Sequence, residues 1–163
     1  MSSNAPVRLS ITGRLTNFGS THLGAVARLQ GRLHSRLYAR FGHTRFRTFL
    51  GRPLFRLTIV GRKSGQPRSV MLLRLHDGDD LIVVGSFSGN PRTPNWWLNL
   101  VAAGTATAEA DGRAWPVTVR VVTDPTEYDR RWQALTEFYP DLATYRELST
   151  RRFPIAVLSP ADA

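Results

Sequence analysis

Between residues 54 and 158 the apolar positions come in short runs broken by glycine, proline and aspartate. This pattern predicts six strands: 54–60, 69–75, 81–84, 105–110, 115–123 and 155–158. The second and third are joined by His76-Asp77-Gly78-Asp79-Asp80, which contains the Asp-Gly of a tight hairpin, and the fourth and fifth by Asp111-Gly112. Three stretches carry a helical period instead. Thr93-Pro94 supplies an N-cap and first helical residue for a helix through Ala103, whose Trp96, Leu100 and Ala103 share one face, so Trp96 is expected inward rather than Trp97. Asp124-Pro125-Thr126-Glu127 starts a helix to about Phe138 with the residues of a capping box, Tyr139-Pro140 breaks it, and Asp141 caps a short helix through Leu148. Hairpins without βαβ spacing predict a mostly antiparallel small barrel, with helices covering its openings.

Upstream the period is different. From about Thr21 to Phe49, Leu29, Leu33, Leu37 and Phe41 recur every fourth residue, with Arg28, Arg32, Arg36 and Arg40 alongside them. Such a basic amphipathic helix can lie on an anionic membrane, cover an anionic ligand, or dock on the core with its arginines solvated. Residues 1 to about 20 read as an arm without period. The expected division is an arm and basic helix over 1–52, then a barrel domain over 53–163.

Charge sharpens this division. The 163 residues carry a net charge of +10, yet residues 1–76 hold 14 Arg and Lys and no acid, while the remainder holds 8 against 12 acids. A field so lopsided attracts polyanions, anionic lipid or an acidic small molecule. Absence of cysteine excludes disulfides, iron–sulfur clusters and thiol catalysis, and suits a reducing cytoplasm. No apolar run approaches the ~20 residues of a membrane span. The expected location is cytoplasmic, with a peripheral contact at the inner membrane face through residues 21–49.

The densest chemistry lies in Gly61-Arg62-Lys63-Ser64-Gly65-Gln66-Pro67-Arg68, a turn between the first two strands. Two glycines beside three cations suit phosphate or carboxylate oxygens, although the order is not that of a nucleotide P-loop and a strand follows rather than a helix. Lys63 is the only lysine in the chain, a compact mobile charge among arginines. A solvated hairpin turn is the plain alternative. His22, His34, His43 and His76 have no partners at helix-face spacing, so no metal site or Ser-His-Asp triad is predicted. What remains is a basic turn, a Ser/Gly loop, two tryptophans and the set Phe138, Tyr139 and Tyr145. That inventory suits a site where a bound cofactor carries the reaction.

The segments Thr58-Ile59-Val60-Gly61-Arg62-Lys63-Ser64-Gly65-Gln66-Pro67-Arg68, Gly85-Ser86-Phe87-Ser88-Gly89 and Pro94-Asn95-Trp96-Trp97-Leu98-Asn99-Leu100 resemble the deazaflavin-dependent nitroreductase family of actinobacteria. The likeness extends from about residue 53 to 160, through Tyr139-Pro140 and Phe153-Pro154-Ile155. It implies a split β-barrel of the FMN-binding type that binds coenzyme F-420, a deazaflavin with an acidic tail. It further implies that Arg62, Lys63, Ser64, Gly65, Pro67 and Arg68 hold that tail. Met71, Val84, Gly85, Ser86, Phe87, Trp96 and Asn99 would then border the ring.

By the same resemblance, hydride passes from the reduced deazaflavin to a quinone, activated enone or nitro compound. Ser86, Tyr139 or Tyr145 would meet the developing charge, and Leu73, Leu142 and Tyr145 would line the acceptor pocket. Some relatives carry tyrosines at the positions of Leu73 and Leu142, and a Lys or Tyr and a Gly at those of Phe87 and Ser88. The pocket here is accordingly more apolar, which favours a quinone or unsaturated intermediate over a nitroimidazole. The alternatives are FMN in the same barrel, or a non-catalytic basic module on anionic membrane or nucleic acid. With the reductase reading no nucleic acid partner is expected.

Overall fold

The computed structural model describes residues 48, 49 and 51–161. The amphipathic helix expected from residue 21 lies outside the described residues except at its end. There Thr48–Phe49 is not helical but forms strand β1, paired with Arg52 and Pro53. Gly51, at φ +76°, makes the reversal that puts these two residues in the sheet.

All strand pairs are antiparallel. β2 (Arg52–Val60) pairs with β3 (Pro67–Leu73), then β4 (Leu75–Asp77) with β5 (Asp80–Val84), β6 (Thr105–Ala110) with β7 (Arg113–Val121), and β8 (Ile155–Pro160) lies between β7 and β5. The order is β3-β2-β6-β7-β8-β5-β4. The run expected as a single strand from Ser69 to Leu75 is interrupted at Arg74, whose amide still donates to Pro53 O at 2.8 Å. Residues 67–77 therefore belong to β2 in their first half and to β5 in their second. The barrel is closed by chain continuity, and beside β3 it is split.

Two apolar clusters hold the barrel. Phe55, Leu57 and Ile59 of β2, Leu81 and Val83 of β5, and Ala156 and Leu158 of β8 fill the interior, with Val70 and Leu72 of β3 against them. Helix α1 (Asn95–Ala103) closes one opening with Trp97 and Leu100. On the outside, Ile82, Ile155 and Val157 are covered by α2 (Pro125–Phe138) and α3 (Asp141–Glu147) through Tyr128, Leu135, Tyr139, Leu142 and Tyr145. β5 and β8 are thus buried on both faces, which is why they read as unbroken apolar runs. Each fully buried large side chain contributes roughly 1.5–3 kcal/mol, against about 0–1 kcal/mol for an exposed ion pair. The two clusters dominate.

Three local expectations differ from the structure. Trp97 is the buried residue and Trp96 only half-buried, because the face turned to the core is the one that Trp97 shares with Leu100 three positions on; the helix starts at Asn95, with Pro94 as its cap. Asp141 is the first residue of α3 rather than its cap, a place taken by Pro140 without a side-chain hydrogen bond. Asp124 does cap α2, accepting from the Glu127 amide at 2.7 Å. Glu127, however, turns its carboxylate to Arg120 and Arg131 instead of completing a capping box.

Arg131 is almost wholly buried and joins Glu127 to Asp77 of the β4–β5 hairpin at 2.8 and 2.7 Å. Hydrogen bonds from Arg120 and then Arg131 hold Glu127 down from 4.5 to about 2. A carboxylate with a depressed native pKa stabilises the fold above its unfolded value and loses that contribution as pH falls towards the native one. The stability difference between the wild type and Glu127→Gln, measured by urea unfolding, is expected to be constant above about pH 4.5 and to close between there and about 2.

Candidate functional site

The split has two lips. On the first, Arg74 bonds to β2, so alternation turns the backbone N–H and C=O of Ser69, Met71 and Leu73 away from β2. On the second, Gly85 donates its amide to Pro154 O at 2.9 Å, so the neighbouring polar groups of Val84 face the other way. Continuing the β4–β5 register, in which Leu75 stands across from Ile82, sets Leu73 opposite Val84 and Met71 opposite Ser86. Those pairs are not made. The chain instead turns away at the 3-10 turn Phe87–Gly89, where Phe87, Ser88 and Gly89 have φ of 49°, 51° and 80°.

At one end of the split lies the basic turn. Gly61 is buried, its amide donating to Gln66 O at 2.9 Å and its carbonyl accepting from Ser64 and Gly65. Arg62 is tied back to α1: Nη1 donates to Asn99 Oδ1 at 2.7 Å and the Arg62 amide to the same oxygen at 3.3 Å. Asn99 and Arg62, expected as separate contacts, thus hold each other. Ser64 Oγ accepts from Arg68 at 3.4 Å and from the Gln66 amide at 3.3 Å. Pro67 pairs with Val60 at the start of β3. Lys63 is exposed. Among the described residues Arg62, Lys63 and Arg68 are in no ion pair.

Beyond the split, Leu73 and Val84 pack on the cluster of Tyr139, Leu142 and Tyr145, and α3 lies against the Phe87–Gly89 turn. The Tyr139 and Tyr145 hydroxyls are 3.3 Å apart. Burial foremost, then the Tyr145 hydrogen bond, raises Tyr139 above the ordinary phenol range, so it stays neutral. Leu142 and Tyr145 are each only 2% exposed, so these side chains are packed rather than lining an open hollow. Two hollows lie elsewhere, one beside His76 and Arg130, the other beside Arg74, Arg113 and Trp115. Trp96 meets Trp97 edge to face at 5.7 Å.

Sequence reasoning missed Arg151. Its Nη1, Nη2 and Nε donate to the carbonyls of Gly85, Ser86 and Asn90 at 2.8, 2.7 and 3.0 Å, and its guanidinium lies 4.7 Å from the Phe153 ring centre. No spacing rule joins an arginine to backbone carbonyls more than sixty residues away.

The family model described as F420H(2)-dependent quinone reductase matches residues 30–160. The chain belongs to this family. It is 33% identical over 135 residues to an F420H(2)-dependent quinone reductase of Mycobacterium tuberculosis (strain ATCC 25618 / H37Rv), covering 78% of this chain and 88% of the relative. A solved F420-H2 dependent reductase, FDR-A, shares 29% identity at a TM-score of 0.61, over 66% of this chain and 95% of its own. A structure described as a domain-swapped dimer matches at 26% identity and TM-score 0.63, over 78% and 98%. The split barrel and the coenzyme F-420 expected from sequence are those of this family.

Gly85 sits where the split meets the core. A Cβ there would lie 3.1 Å from Pro154 Cγ and 3.2 Å from Trp97 Cε3. Gly85→Ala is expected to destabilise by about 1–3 kcal/mol, measured by thermal or urea unfolding.

Proposed function

We propose that this F-420-dependent reductase passes hydride from the reduced coenzyme, held in the split beside β3, to a quinone. The observation that carries the reading is the edge of β3 that no strand among the described residues pairs, together with its surroundings. Polar backbone groups of Ser69, Met71 and Leu73 face Val84 across an unmade pairing, with a carboxylate-free basic turn at one end and an aromatic cluster at the other. A planar heterocycle whose edge carries carbonyl and N–H groups matches such backbone lips, and an acidic tail matches Lys63 and Arg68.

Coenzyme F-420, when bound, supplies the hydride. The chain's own residues have separate tasks. Lys63 and Arg68 neutralise the tail, Gly65 at φ +64° leaves its turn open to approach, and Arg62 with Asn99 fixes the turn on α1. Phe87 and Trp96 would bound the ring and Met71 and Val84 flank it, and the half-buried, apolar Leu73 suits a quinone better than a nitro group, with Leu142 packed behind it. Ser86 carries a hydroxyl at the second lip, across the unmade pairing from Met71, and behind it Tyr139, kept neutral by burial, shares a hydrogen bond with the Tyr145 hydroxyl as a buried proton-donor pair. An activated enone is the second acceptor class that fits this apolar lining.

Reconstitution with F-420 and, separately, with FMN, followed by an acceptor screen, tests the reading. F-420 binding with turnover of a quinone is the expected result, and exclusive FMN binding overturns it. Because Lys63 is exposed and screened by solvent, Lys63→Ala is expected to raise the Kd for F-420 by about fivefold. The single-turnover hydride rate at saturation should stay within about twofold. A slower hydride step at unchanged Kd would contradict a role in binding.

A further inference from the structure

We infer that Arg151 is a positioning residue that presents two consecutive peptide N–H groups, those of Ser86 and Phe87, as a paired donor site for a carbonyl oxygen bound in the split. The inference rests on the proposal that F-420 binds there. Arg151 holds the carbonyls of Gly85 and Ser86 with its two terminal nitrogens and that of Asn90 with Nε. The peptide bonds of the described residues are trans, so each N–H points opposite to the carbonyl of its own peptide unit. The Ser86 amide shares its unit with the Gly85 carbonyl, and the Phe87 amide with the Ser86 carbonyl. Both therefore point away from the guanidinium.

Arg151 approaches from the segment leading into β8, on the side where Gly85 bonds Pro154. The opposite side is that of β3 and the split. Neither amide donates to any group among the described residues, although Ser86 and Phe87 are both only half-exposed. Unsatisfied donors at a half-buried site are costly unless something binds them.

Two further features fit the assignment. A cation on the carbonyl oxygen of a peptide polarises it and strengthens its N–H as a donor. One guanidinium does so for both units. The turn also needs holding, because Phe87 and Ser88 lie in the left-handed region that side chains disfavour. Arg151 grips it before and after that strain, at Ser86 and Asn90. Ser86 itself precedes Phe87 with φ −72° and ψ −38°, and a right-handed residue followed by a left-handed one forms the backbone concavity known to bind anionic oxygen. Such a donor pair receives either a ring carbonyl of the coenzyme or the acceptor oxygen that gains charge as hydride arrives.

Ser86 has a φ that proline adopts, so Ser86→Pro deletes the N–H while keeping the carbonyl that Arg151 binds. Ser86→Ala removes only the hydroxyl and is its reference. Coenzyme affinity is read by fluorescence titration and hydride transfer by single turnover. Relative to Ser86→Ala, Ser86→Pro is expected to lose roughly tenfold in one of the two. Loss in affinity assigns the donors to the coenzyme, and loss in hydride rate assigns them to the acceptor.

Arg151→Ala should show the same loss, restored in part by millimolar guanidinium but not by ammonium, which lacks the planar fork. Ser86→Pro carries the test alone if Arg151→Ala does not fold. Equal affinity and rate in Ser86→Pro and Ser86→Ala overturn the inference. Failure of the wild type to bind F-420 overturns instead the proposal on which it rests.

Discussion

The bend at Arg74 governs the rest of this structure. A strand satisfies its backbone by pairing on both edges, yet residues 67–77 pair with β2 only before the bend and with β5 only after it. Had β3 continued on β5, Met71 would have faced Ser86 in an ordinary ladder and the barrel would have closed without a seat for anything. The alternation that buries Val70 and Leu72 against β2's core residues also turns the polar groups of Ser69, Met71 and Leu73 into the opening. Core packing and an exposed polar lip follow from one register.

The lips stay apart because each is held elsewhere. β5 is buried on both faces, by the barrel interior and by the tyrosine-rich cluster of α2 and α3. The loop after it is gripped by Arg151, and the turn before β3 is moored to α1 through Arg62 and Asn99. Arginine serves here as a staple to backbone and amide oxygens, a task its planar fork of donors suits. Arg131, between Glu127 and Asp77, does the same for the hairpin below. Against that background the single lysine differs, being exposed and, among the described residues, in no ion pair where the proposed acidic tail would lie.

Five of the six expected strands are present as single strands, while the expected strand 69–75 is divided in two. The half-buried ones are present because alternation writes their period into sequence, and β5 and β8 because burial on both faces makes them unbroken apolar runs. The break at Arg74 was not legible, since Leu73-Arg74-Leu75 keeps the alternation while the partner changes. Trp96 and Trp97 were exchanged because Leu100 shares a face both with Trp96 at i+4 and with Trp97 at i+3, and the i+3 pair is the one buried against the barrel. Thr48–Phe49 read as helix because Gly51, not their own side chains, places them in the sheet. The proposed site residues were singled out through family motifs rather than chemistry, because the groups facing the split are largely backbone. Arg151 escaped both routes, as its partners are carbonyl oxygens that any sequence would supply.

Amide hydrogen exchange with and without F-420 tests most directly the claim that the split is the coenzyme's seat. Slowed exchange is expected in the basic turn and the two lips, residues 61–73 and 84–89, with the β6–β7 hairpin unchanged. Protection around Arg113 and Trp115, or no protection along β3, would contradict it.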